Sequence, residues 1–347
     1  IFRSHKMILI DYISNHCLCS SIVGGGFLLL VFAILYIYRD PPKPTKHGSR
    51  DQLNTKVITT PNVSFEMIPT NGIHLHTLCA GDPKNPLVVL LHGFPEFWKG
   101  WEMQVDDLVK AGYYVMVPDQ RGYNLSSKPL NMGDYRITNL VNDVEGLINH
   151  AKRDKVYLAG HDWGAVVAWT FAILKPERLH KLVIVNVPHP VSFRHFYKTD
   201  PEQKKKSSYM VRFQIPFFPQ RAMAKNNFAD MAKLISESAL PGTFTDDVLK
   251  AYKMAWNDPG TMNCQLNWYR AAFQRPLKGV PREQYKVKVP TLIIWGKKDQ
   301  FLKHEMATHS VGLCENAKVE FIDEATHWVL HEAPEKVNKL MVNFYKQ

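Results

Sequence analysis

The chain has 347 residues, 45% of them apolar and 12% aromatic, with a formal net charge of +11. That is enough apolar material for one large core or two small ones, and it excludes a mostly disordered chain. Five irregularly spaced cysteines with no C-x-x-C pair exclude a disulfide framework and the usual thiolate zinc sites.

A short N-terminal tail, 1–16, precedes the first feature, the uncharged apolar run Cys17 to Tyr38. As a helix it would extend roughly 33 Å, enough to cross a bilayer core. It reads as a retained transmembrane anchor: the run exceeds the h-region of a signal peptide, and Tyr36 and Tyr38 sit where interfacial aromatics belong. Arg39, Lys43, Lys46 and Arg50 follow it closely while only Arg3 and Lys6 precede it. The expectation is therefore a single-pass protein of the endoplasmic reticulum membrane with its large C-terminal part in the cytosol. Residues 39–60, rich in proline and charge, read as a linker. Sequons at Asn62 and Asn124 would argue for the lumen if used, but Asn124 lies in a motif loop where a glycan is awkward.

From about Pro61 the chain alternates strand and helix signals. The strand-like runs are "PLVVLLHG" at 86, "YYVMVPD" at 113, "KVYLAGHD" at 155, "KLVIVNVP" at 181, "PTLIIWGKKD" at 290 and "AKVEFID" at 317. Continuous apolar runs belong to parallel strands buried on both faces. Between two of them Ile137, Leu140, Val141, Val144, Leu147 and Ile148 recur at helical spacing and predict an amphipathic crossover helix. The fold class is α/β. The alternation breaks from His189 to Val280, where Met-, Phe- and Trp-rich helical segments replace strands, so 189–280 is expected to be a cap inserted into a core of 61–188 and 281–347.

At residues 157–169, "YLAGHDWGAVVAW", a strand turns sharply into a helix. Small residues on either side of a central one are what a strained elbow needs, and the tip is where α/β-hydrolases carry a nucleophile. The tip here is Asp162 rather than serine. A carboxylate attacking an ester would give an anhydride, whereas at a saturated carbon it gives an ester that water can cleave, so Asp162 points to displacement at sp³ carbon. Epoxide oxygen and halide are the leaving groups to consider. In the chain order of this fold an acid and a histidine follow the nucleophile, and Asp299 and His327 stand just past two later strands. The turn in "HGFPEFW" supplies one oxyanion amide, Phe94, and the elbow supplies the other, Trp163.

Together "HGFPEFW", "DQRGYNLSS", "GHDWGA", "NVPHP", "SSYMVRFQ", "NWYR", "WGKKD" and "ATHW" resemble the α/β-hydrolase-fold epoxide hydrolases of the soluble-enzyme type, and most closely their N-terminally membrane-anchored branch. Asn124 stands where that family usually has glycine, and asparagine tolerates the left-handed backbone such a turn needs. The resemblance implies two cap tyrosines aimed at the epoxide oxygen, Tyr209 and Tyr269, and a mechanism with no metal or organic cofactor. It favours epoxide opening over a haloalkane dehalogenase, since a departing halide needs no proton. The apolar cap residues Met210, Phe213, Phe217, Phe218, Trp256 and Trp268 then suggest lipophilic epoxides. The alternatives are the dehalogenase and a non-catalytic membrane-tethered scaffold; no second elbow supports a serine esterase. The excess charge, including Lys204 to Lys206, carries no nucleic-acid motif and suits anionic lipid.

Overall fold

The computed structural model describes residues 58–272 and 281–347. The expected anchor, 17–38, and most of the linker lie outside the described residues. Among those that are described, no helix is long and apolar enough to cross a membrane. The folded part begins slightly before the expected boundary: Thr59 and Thr60 donate backbone hydrogen bonds of 2.9 to 3.1 Å to the Asp106 carboxylate, which fixes the end of the linker segment.

Eight strands form one sheet: β1 (Val63–Thr70), β2 (Ile73–Ala80), β3 (Leu87–Leu91), β4 (Tyr114–Pro118), β5 (Val156–His161), β6 (Leu179–Val185), β7 (Thr291–Gly296) and β8 (Ala317–Ile322). Their order is β1-β2-β4-β3-β5-β6-β7-β8. All six expected strands are present, and they pair in parallel. Ahead of them, β1 and β2 form an antiparallel hairpin closed at Asn71-Gly72, both at positive φ.

Helices cover both faces of the sheet, which is why an inner strand such as β3 is apolar and buried throughout. Leu87, Val89 and Leu91 pack on the side of α2 (Ile137–His150) and α3 (Trp163–Leu174), reached after α1 (Glu102–Lys110). Val88 and Leu90 pack on the opposite side with Val105 and Leu108 of α1 and with the C-terminal helix Pro334–Lys346. All six apolar residues expected on α2 are buried.

Between β6 and β7 the described residues are helical and contain no strand. The segments are Pro190–Thr199, Pro201–Lys206, Tyr209–Arg212, Phe218–Ala224, Ala229–Ser238, Asp246–Trp256 and Thr261–Ala272. This region joins both core layers, Leu266 and Trp268 on one side and Ile235, Tyr252 and Trp256 on the other. It therefore sits over the carboxyl edge of the sheet, where α/β folds place their ligands.

Candidate active site

Three loops leave the carboxyl ends of β5, β7 and β8, and each carries one residue of the expected triad. At the end of β5, Asp162 takes φ 49° and ψ −123°, outside the regions a non-glycine residue prefers. Close packing enforces this turn. A Cβ on Gly160 would lie 2.4 Å from the Gly164 carbonyl oxygen, and one on Gly164 would lie 2.1 Å from that of Leu91. The cap covers the tip of the elbow, and the Asp162 side chain is 16% exposed.

Asp162 Oδ1 accepts a 2.7 Å hydrogen bond from the Phe94 amide, and Oδ2 lies 3.5 Å from His327 Nε2. The Trp163 N–H, the second amide expected, makes no hydrogen bond to the carboxylate among the described contacts. On its other side His327 Nδ1 is 2.7 Å from Asp299 Oδ2. Asp299 is itself held from three directions: Oδ1 accepts from the Phe301 and Leu302 amides at 2.7 and 2.9 Å, and Oδ2 accepts from Asn186 Nδ2 at 2.9 Å. Asn186, at φ 50° just past β6, also accepts the Gly296 amide through Oδ1 at 3.0 Å. Sequence reasoning missed it, although its place at a strand end beside the other three was legible.

The charges follow from this geometry. Burial raises the Asp162 carboxyl, but the hydrogen bond and charge of His327, with the Phe94 amide, outweigh it and hold the group below the usual carboxylate range. Burial would depress the His327 imidazole, yet the Asp299 charge and the contacts to both carboxylates raise it to about 10. Both shifts favour an imidazolium between two carboxylates in the resting site.

Above the carboxylate stands an aromatic wall. The Tyr269 ring meets Phe94, Trp163 and Phe213 at centroid distances of 5.4, 4.9 and 4.9 Å, and Tyr209 meets Tyr269 at 6.1 Å and Phe301 at 6.2 Å. Burial raises the pKa of both phenols; for Tyr209 the charges of Asp162 and Asp299 add to it, and for Tyr269 the neighbouring Tyr209 and Asp162. Both remain donors. Of the other cap residues expected to line a pocket, Phe213 belongs to this wall. Trp256 and Trp268 do not: they are fully buried struts that donate to the carbonyls of Pro95 and Arg121 and tie the cap to the core. Phe218 is exposed.

Behind the elbow is a second buried charge that sequence reasoning also missed. Glu96 Oε2 is 3.0 Å from His161 Nδ1, while Oε1 is 2.9 Å from His331 Nε2 and accepts from the Tyr252 hydroxyl at 2.9 Å. Burial opposes ionisation here, but hydrogen bonds from the two histidines and their charges hold the carboxyl well below its usual range. His161 in turn bonds the His327 carbonyl through Nε2 at 2.9 Å. One carboxylate thus links the elbow, the His327 loop and cap helix Asp246–Trp256. Asn124 adopts φ 39°, as expected of a glycine substitute, and is buried with Nδ2 donating to Asp119 Oδ2 at 2.8 Å.

A family model for the alpha/beta hydrolase fold matches residues 86–334. "AB hydrolase superfamily protein YfhM" of Bacillus subtilis is 43% identical over 82% of this chain and 98% of its own length. Human "Epoxide hydrolase 4" is 35% identical over 82% of this chain and 78% of its own. Among solved structures, an epoxide hydrolase from Bacillus megaterium in complex with an inhibitor superposes with a TM-score of 0.72 at 32% identity, covering 82% of this chain and 100% of that one.

Proposed function

Since the chain belongs to the epoxide hydrolases of the α/β-hydrolase fold, we propose that it opens epoxides to vicinal diols through a covalent ester on Asp162. The observation that carries this reading is the split role of the Asp162 carboxylate. Oδ1 is fixed on the Phe94 amide, where a tetrahedral oxyanion would need a donor, and Oδ2 is left to attack an epoxide carbon. Tyr209 and Tyr269 face the oxygen that leaves. Alkylation removes the Asp162 charge, which had raised both phenols and the imidazole. A phenol then protonates the alkoxide, and the imidazolium proton replaces the one given up. The neutral His327 so formed, oriented by Asp299, takes a proton from water as the hydroxide adds to the ester carbonyl. Collapse releases the diol and restores the imidazolium between two carboxylates. No step requires a metal or cofactor.

The wall of Phe94, Trp163, Phe213 and Phe301 favours lipophilic epoxides. The sequence of 17–38 adds membrane anchoring, with the catalytic part on the cytosolic face of the endoplasmic reticulum. In a single turnover in ¹⁸O water with excess enzyme, the diol should carry unlabelled oxygen from Asp162 and the Asp162 peptide should become heavier. His327→Gln should accumulate an adduct one substrate heavier, because alkylation needs no base. Label entering the first diol directly, with no adduct, would mean that Asp162 only orients water.

A further inference from the structure

One groove lies outside the aromatic wall. It encloses about 540 Å³ on the outer side of the cap, between Leu130 and Met132 of the core and Pro216, Phe217 and Arg270 of the cap. None of the five residues of the reaction site lines it. Leu130 in its lining is 83% exposed, and beside the lining residues Pro216 and Phe217 the same cap segment exposes Val211, Ile215 and Phe218, the last at 76%. Isolated exposed apolar residues are ordinary, but three within eight residues, two of them next to the groove-lining Pro216 and Phe217, are a patch. Phe217 takes φ 65°, sparsely populated for a bulky residue, immediately before the outward-facing Phe218.

The cap segment that carries these side chains has charge of one sign. From Gln203 to Ala229 the chain contains Lys204, Lys205, Lys206, Arg212, Arg221 and Lys225 and no acidic residue. All but Lys206 are exposed. Inside the groove, Arg270 donates to the carbonyls of Phe213 and Ile215 and to the side-chain oxygens of Gln220, Asn263 and Asn267. Every one of these partners is neutral, and among the described residues Arg270 makes no ion pair. Its charge is oriented but uncompensated.

We propose that this face of the cap docks on an anionic lipid surface, with Val211, Ile215 and Phe218 entering the acyl boundary and headgroup phosphate or carboxylate facing the basic residues around the groove. Protruding aromatic and aliphatic side chains flanked by Lys and Arg are the pattern of interfacial binding. A lipid surface supplies both at once, an apolar layer for the projecting side chains and phosphate or carboxylate at its boundary. Docking does not depend on epoxide chemistry, since it is read without turnover.

Backbone hydrogen exchange of the full chain should be compared on vesicles of phosphatidylcholine alone and of phosphatidylcholine with phosphatidylserine. Exchange in the peptide 211–225 should slow only on the anionic vesicles, and Arg212→Gln should weaken that protection about fivefold, the share of one basic residue near such a surface. The double variant Ile215→Glu, Phe218→Glu should abolish it while keeping the parent's circular dichroism and melting temperature and its rate on a small water-soluble epoxide. Equal exchange on the two vesicle types would overturn the proposal. So would protection that appears without lipid and grows with protein concentration, which would assign the patch to a second copy of the chain.

Discussion

The floor and the roof of the site are held by different physics. On the floor Asp162, Asp299 and His327 are each fixed by strained backbone or by several hydrogen bonds, and Glu96 binds their loops together from behind. Under the roof Tyr209 and Tyr269 are positioned by ring packing against Phe213, Phe301 and Phe94. Charged groups buried in a low dielectric must be paired from every side, so their geometry tolerates little change. Aromatic packing is less directional and tolerates more change around the two tyrosine rings.

Losses of activity should follow this division. Replacing Asp162 with Ala removes the proposed nucleophile and should lower kcat by on the order of 10⁴-fold or more, as loss of a covalent nucleophile does. Replacing Tyr209 or Tyr269 with Phe removes one of two donors to the developing alkoxide and should cost about 10²-fold in the alkylation rate. The double replacement should be far worse than either. Rapid-quench measurement of ester formation separates these effects from the hydrolysis step. Tyrosine variants that kept full alkylation rates would leave the roof a purely packing role.

Stability should divide the other way, with one roof-to-floor contact reporting on the Glu96 hub. Tyr252→Phe removes a 2.9 Å hydrogen bond to a buried carboxylate, worth about 1.5–3 kcal/mol for a charged acceptor. Denaturant unfolding would show this as a lower midpoint with an unchanged slope. An unaltered midpoint would mean that the cap and core are joined chiefly by struts such as Trp256 and Trp268.

The floor was readable in the sequence where its physics is local. Gly160 and Gly164 around Asp162, and Asp299 and His327 just past apolar runs, are patterns that backbone sterics and strand burial impose on nearby residues. The first hairpin was missed because β1 and the start of β2 alternate between exposed and covered positions and present no continuous apolar run, although Asn71-Gly72 marks their turn. Glu96 and Asn186 were missed because a buried polar residue looks in sequence like a surface one; their partners come from β5, the loops after β7 and β8, and the cap. The cap tyrosines were found through the family resemblance alone. In a helical insert, nothing local separates a tyrosine facing the site from Trp256 or Trp268, which sequence reasoning placed in the pocket and the structure uses as struts.

The electrostatics of the floor can be tested without substrate. His327 titrates near 6.5 in an unfolded chain and is raised to about 10 in the fold. A raised pKa means that the folded state binds the proton more tightly, so this contribution to stability is complete below about pH 6.5 and is lost as pH climbs through the folded value. Asp162 works in the opposite direction: its depressed pKa stabilises the fold above the ordinary carboxylate range and fails as acid protonates it. Thermal unfolding should therefore show a falling midpoint from about pH 6.5 to 10, a window in which Asp162 stays ionised and the fold keeps the His327 proton that the unfolded chain gives up. His327→Gln cannot bind that proton, so its midpoint should be lower near neutrality and flatter across the window. If the two proteins declined in parallel, the imidazole would be neutral in the resting site, and the proton proposed to replace the phenol's would have to come from solvent.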